Sequence, residues 1–228
     1  MIHSSDPHIQ YHLDSSVFII QMNRPDKKNA LTQSMYAALA AGIIHADEEA
    51  ACHVILIRGS QDCFTSGNDV SDFVNTENHG QERPSLQFMK AIGAARKPVI
   101  AAVGGLAIGI GTTLLFHCDL VYAAEDSFLQ LPFTRLGLCP EAGSSLLLPQ
   151  SIGHQRASEL LLLGERFSAQ KAQQYGIVNE VLPADSYLEY ALGKARELAA
   201  LPTDSVQTSK ALIKRNHSEP LLETIGLE

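Results

Sequence analysis

The chain is short of the features that mark several large classes of protein. Its four cysteines, Cys52, Cys63, Cys118 and Cys139, form neither a CxxC pair nor a zinc-ligand spacing. Reduced thiols in a cytosolic protein are the preferred reading, and no metal site is expected. Basic residues are in deficit: 17 Lys and Arg against 25 Asp and Glu give a formal charge of −8. No basic run offsets it, so neither nucleic acid nor an anionic membrane surface is an expected partner. No apolar stretch approaches the roughly 18 residues of a membrane span, and residues 1–16 lack the basic and apolar parts of a secretory leader. A soluble, cytoplasmic protein is the expectation.

Nucleotide and hydrolase signatures are missing as well. No GxxxxGK[ST] occurs, which excludes a P-loop, and no GxSxG occurs, which disfavours an α/β-hydrolase. Gly109-x-Gly111 lacks the third glycine of a dinucleotide fingerprint, Leu114 standing there instead, and no acidic residue ends a well-placed second strand.

What is present is enough apolar sequence for a full core: 45% of the 228 residues are hydrophobic. Val17–Met22 reads as a strand, closed by Asn23-Arg24-Pro25-Asp26, with Ile9–Leu13 placed to pair with it in a hairpin. From Thr32, a plausible N-cap, Met35, Tyr36, Leu39, Ile43 and Ile44 recur at helical spacing to about Asp47. The continuous runs Val54–Ile57, Val99–Val103 and Leu120–Ala123 predict strands covered on both faces, with a helix from about Ser85 to Ala95 between the first two. Beyond Gly143 the pattern is mainly helical: 144–150, 154–163, 168–175, 184–200 and 204–215. The fold class is α/β, a parallel layer followed by a helical region.

Two segments set glycine between a predicted strand and a predicted helix: Phe64-Thr65-Ser66-Gly67-Asn68-Asp69, and Gly104-Gly105 through Gly109-Ile110-Gly111. Such turns aim bare N–H groups at a negative oxygen. Each alone is equally explained by positive φ or close packing. Together, with no nucleophile between them, they suit a reaction through an oxyanion, in which backbone donors stabilise the enolate left when an α-proton departs.

The order of several short motifs resembles the crotonase, or enoyl-CoA hydratase/isomerase, superfamily. Asn23-Arg24-Pro25 with Asn29-Ala30-Leu31 resembles its opening motif, Phe64–Asp69 its first oxyanion loop, and Lys97–Gly105 with Gly109 and Cys118-Asp119 its second. Gly164, Ala169–Ala172 and Tyr175–Val178 continue the match to about residue 215. The resemblance implies a spiral of ββα repeats over residues 1–195 and a helical trimerisation region over 196–228, shorter than usual, in a homotrimer or dimer of trimers. It implies an acyl-CoA thioester as substrate, coenzyme A being part of that substrate and no other cofactor being needed. The oxyanion donors it implies are the amides of Ser66 and Ile110, and the substrate contacts are Lys28, Ala30, Ser66, Gly67, Asn68, Asp69, Val70, Gly109, Ile110 and Phe133.

Hydratases of the superfamily use two glutamates; in this register Thr113 and Phe133 stand in their places. Neither is a general base near neutral pH. Pro140-Glu141-Ala142-Gly143-Ser144-Ser145 instead resembles the single-glutamate motif of the Δ3-Δ2-enoyl-CoA isomerases, most of all the peroxisomal type, although no terminal Ser-Lys-Leu is present. The implied activity is a shift of the 3-enoyl double bond to the 2-position with Glu141 as base, dried by Ile110, Phe133 and Leu136. On the residues alone, Pro-Glu is equally a first helical turn whose carboxylate complements the dipole. His117 and Asp119 read as core or capping residues, Asn68 and Asp69 as turn formers, and Arg24, Lys27 and above all Lys28 as charge for the coenzyme A phosphates. A further crotonase reaction, hydration or thioester hydrolysis, or a non-catalytic acyl-CoA-binding subunit, remains open at this point.

Overall fold

The computed structural model describes residues 3–60, 62–69, 71, 82–216 and 218–228. Strands β1 (Ile9–Asp14) and β2 (Val17–Met22) form the expected hairpin. Helix α1 (Gln33–Glu48) begins where expected, the Thr32 hydroxyl accepting the Met35 amide at its N-terminus.

Three units then share one plan: a strand in a large sheet, a short strand in a small sheet, then helix. They are β3 (Val54–Arg58), β4 (Cys63–Thr65) and α2 (Pro84–Ala94); β5 (Val99–Val103), β6 (Leu106–Ile108) and α3 (Ile110–Thr113); and β7 (Leu120–Ala124), β8 (Phe128–Gln130) and, after a longer connection, α4 (Ser144–Ile152). Helix α5 (His154–Leu163), β9 (Arg166–Ser168), α6 (Ala169–Gln174), β10 (Glu180–Leu182), α7 (Tyr187–Ala199), α8 (Thr203–Lys214) and α9 (Ser218–Leu227) complete the chain. The large sheet runs β1-β2-β3-β5-β7-β10 and the small one β4-β6-β8-β9. Among the described residues no helix is long and apolar enough to cross a membrane.

The continuous apolar runs follow from burial on both faces. Val54 and Leu56, with Ile100, Ala102 and Tyr122, face α7, where Ala191, Ala195 and Ala199 allow close approach. Ile55 and Ile57, with Val99, Ala101, Val103 and Val121, join the main core with Phe18, Met35, Leu39 and Phe88. Alternate side chains thus enter different cores, and neither face has room for a polar residue.

The region beyond Gly143 is not purely helical, because β9 pairs antiparallel with β8 and β10 pairs parallel with β7. Both strands are three residues long, too short to show a period of two in the sequence. The corner between the sheets is tight. A Cβ on Gly59 would lie 2.3 Å from the Cys63 carbonyl oxygen, and one on Gly105, at φ +64°, would lie 2.0 Å from that of Asp62. Gly105 is thus a corner residue, with no role in an anion turn.

Candidate active site

The first wall is assembled around Asn29, a fully buried residue at φ +53°. Its side-chain N–H groups donate to the carbonyls of Cys63 (2.7 Å) and Phe64 (3.2 Å), while its oxygen accepts the Arg24 amide at 2.7 Å. Thr65 returns a bond from its hydroxyl to the Asn29 carbonyl at 2.7 Å. Residues 24–30 are thereby fastened to β4. Arg24 donates to the Ala30 carbonyl at 2.9 Å and pairs with Asp69 at 2.6 Å. Hydrogen bonds from Ser71 and then Arg24 hold the Asp69 carboxyl down at about 2. Arg24 is therefore a strut rather than open charge for a phosphate, and Asp69 is the turn former expected. Lys27 and Lys28 remain exposed.

The two glycine loops lie side by side because β4 and β6 pair in parallel, Cys63 opposite Leu106 and Thr65 opposite Ala107. A Cβ on Gly111 would meet the Thr65 side chain at 2.6 Å, and one on Gly67 would lie 3.0 Å from the Ile108 carbonyl oxygen. Donor by donor, the loops differ from the sequence-based expectation. The Ser66 amide donates to the Lys28 carbonyl at 3.0 Å, and the Gly67 amide to the Thr65 hydroxyl at 3.1 Å. Ser66 therefore fastens the loop and has no N–H left for a ligand. Asn68 is flanked by a bridge to Leu31, made through the Gly67 carbonyl and the Asp69 amide, and its own N–H has no partner among the described residues. Across from it, Gly109 turns the chain with its amide on the Gln130 carbonyl, and Ile110 opens α3, where the first N–H groups have no intrahelical acceptor.

Glu141 lies in the turn that leads into α4, with Ala142 and Gly143 both at positive φ (59° and 70°). Its Oε1 is buried without a partner among the described residues, and the nearby Asn68 side chain favours its ionised form. The Tyr36 hydroxyl donates to Asn68 Oδ1 and so engages the oxygen of that amide. Burial first, then the charge of Glu228, raises Glu141 to about 7, against the lowering effect of the Asn68 side chain.

Glu228 is itself engaged. One carboxylate oxygen accepts the Gly143 amide at 2.6 Å; the other accepts the Ser145 amide at 3.0 Å and its hydroxyl at 2.6 Å. Leu221 and Ile225, both buried, seat α9 over Gly143.

Thr113 is fully buried and Phe133 nearly so, and neither side chain carries a carboxylate. Leu136, expected beside them, is 66% exposed and lines no dry wall. Val70 lies outside the described residues. Ala30 is half-buried between Arg24 and the first loop.

A family model described as "Enoyl-CoA hydratase/isomerase" matches residues 12–228. The chain belongs to the enoyl-CoA hydratase/isomerase family. It is 34% identical to rat enoyl-CoA delta isomerase 2 over 208 residues, 89% of this chain and 53% of that protein. It is also 34% identical to the 2,3-dehydroadipyl-CoA hydratase of Escherichia coli K12 over 93% of this chain and 84% of that one. The chain thus spans about half the length of the isomerase it matches. Among solved structures it is similar to Pseudomonas aeruginosa OdaA, at 42% identity and a TM-score of 0.94, covering 98% of this chain and 91% of the other. Isomerases and hydratases of the family are thus matched at equal identity, so the distinction between them has to come from the acids.

Sequence reasoning missed the approach of Asn68 to Glu141, the bond from Tyr36 to Asn68 and the engagement of Ser66. Tyr36 differs in no local way from the other apolar positions of α1.

Proposed function

We propose that the protein is an enoyl-CoA isomerase that moves the 3,4 double bond of an acyl-CoA to the 2,3 position, with Glu141 as sole base. The observation that carries this reading is one buried carboxylate with an unpartnered oxygen, raised to about 7, while Thr113 and Phe133 occupy the positions of the hydratase acids. Glu228 is the other carboxylate whose field reaches Glu141, and its oxygens are held by Gly143 and Ser145.

In this mechanism the N–H groups of Asn68 and Ile110 hold the thioester oxygen. Glu141 takes a proton from C2, the electron pair moves into the C2–carbonyl bond and the negative charge settles on the held oxygen. The enolate then collapses, the double bond forms between C2 and C3, and Glu141 returns the proton at C4. The net change is a proton transfer with no water consumed, which suits a site with one acid. Each oxyanion donor contributes about 2.7 to 4 kcal/mol to such a transition state. Lys28 and Lys27 are the cations left for the coenzyme A phosphates, and Gly67, Gly109 and Phe133 shape the space beside the thioester.

Incubation with a 3-enoyl-CoA is expected to produce the conjugated 2-enoyl thioester, with no hydration of a 2-enoyl-CoA and no thiol release from a saturated acyl-CoA. Hydration or thiol release faster than isomerisation would replace this reading with another reaction of the family. Because the base must be ionised, kcat/KM is expected to rise about tenfold per pH unit below 7 and to level off above it, with its midpoint near the Glu141 value of about 7. A profile flat from pH 5 to 8.5 would remove Glu141 from the free-enzyme step.

We further propose that residues 196–228 seat neighbouring copies in a trimer or a dimer of trimers. Exposed Leu201, Leu212 and Ile213, at 50%, 64% and 76%, support that reading. Sedimentation equilibrium is expected to give a multiple of three; a monomer at micromolar concentration would refute it.

A further inference from the structure

The turn that carries Glu141 has a second support besides Glu228. His117 ends the 3-10 turn Leu114–His117 that follows α3, and its side chain is 1% exposed. Its Nε2 lies 2.7 Å from the Ala142 carbonyl oxygen. A carbonyl only accepts, so Nε2 must carry hydrogen. Burial pushes the ring down to about 4, which leaves it neutral at ordinary pH with its one proton on Nε2.

The acceptor residue is unusual. Ala142 is a non-glycine residue at φ +59°, next to Glu141, in a conformation that L side chains adopt only when their surroundings hold them there. The His117 backbone carbonyl accepts Lys214 Nζ at 3.0 Å. The residue is thus held at its backbone as well as at its ring, and the ring donates to a residue in a conformation that needs support.

We propose that His117 is a positioning residue: its Nε2–H, given to the Ala142 carbonyl, holds the Ala142 turn in the left-handed form that aims Glu141 at Asn68 and the substrate. This rests on Glu141 being the base. A histidine that merely fills the core would support stability without selectively setting the rate of proton transfer.

The test is a double-mutant cycle on the full chain. His117→Leu removes the donor and is expected to lower kcat by about 10- to 100-fold with KM within twofold, since a displaced base slows chemistry without loosening coenzyme A. His117→Gln, which can place an N–H near the same point, is expected to recover most of that loss. In an Ala142→Gly background, where the left-handed form needs less support, the penalty of His117→Leu is expected to shrink by about fivefold. Should His117→Leu not fold, His117→Asn, too short to reach Ala142, takes its place with the same expected loss.

Unchanged kcat, a rise in KM at constant kcat, or a full penalty in the Ala142→Gly background would each overturn the proposal. Glu141→Gln, assayed alongside, separates the two levels. If it retains turnover, the base assignment fails and the positioning role with it. If it is inactive while His117→Leu has normal kcat, only the positioning role fails.

Discussion

Glu141→Gln is expected to lower kcat for isomerisation by about 10³-fold or more while leaving KM within a few-fold, as removal of a general base that acts in both proton transfers should. Glutamine suits the test because it keeps the shape of the acid and an oxygen acceptor beside Asn68. Only basicity is lost. The same substitution should change stability in the opposite sense. The folded protein holds Glu141 at about 7 against an ordinary 4.5, so it binds the proton more tightly than the unfolded chain does. That contribution is complete below about pH 4.5, fades as pH rises to 7 and is constant beyond. Holding the buried carboxylate ionised therefore costs on the order of 3 kcal/mol above pH 7. The variant should gain stability relative to wild type across that window, less whatever its buried amide N–H groups lose by lacking acceptors. Urea denaturation at pH 4.5 and 8 measures the difference. Normal turnover by the variant would end the assignment of the base.

The second large effect is on folding. Gly105→Ala should destabilise the protein by upwards of about 4 kcal/mol, because the new Cβ would sit 2.0 Å from the Asp62 carbonyl oxygen at a φ of +64°. The obstacle is backbone, so no rotamer change relieves it, and moving that backbone breaks the pairing of β4 with β6 on which both glycine loops depend. Gly137→Ala is the internal control. Its φ is +70°, nearly the same, but nothing lies within 4 Å of the added atom. That variant should lose only about 1 to 2 kcal/mol, the left-handed strain alone. Equal losses at both positions would show that the corner relaxes and that crowding is not what demands glycine at 105.

Much of the framework is legible in the sequence because the elements that build it are long or continuous. Val54–Ile57, Val99–Val103 and Leu120–Ala123 announce doubly covered strands, and Thr32 with its apolar spacing announces α1. The three-residue strands of the small sheet are silent, since pairing decides them and no pattern of that length can. Helix α9 (Ser218–Leu227) is also hidden, with Pro220 near its start and, among its described side chains, only Leu221 and Ile225 buried. At the site, glycine spacing points to the right loops but not to the right donors. Ser66 and Asn68 are two residues apart, and what separates an occupied amide from an open one is a carbonyl at Lys28, 38 positions earlier. Glu141 is readable as an acid with no local rival. The residues that surround its turn, Tyr36, Asn68, His117 and Glu228, come from four distant segments, and none of their contacts has a local signature.

The bonds from Glu228 to Gly143 and Ser145 also bear on the order in which the site is assembled. A growing chain emerges N-terminal part first. The three strand pairs, both loops and Glu141 itself are therefore made well before α9 exists to lie over the acid. Until α9 docks, the charge of Glu228 is absent from the turn, so a nascent protein would have its scaffold complete and its acid not yet under one of the two influences that raise it.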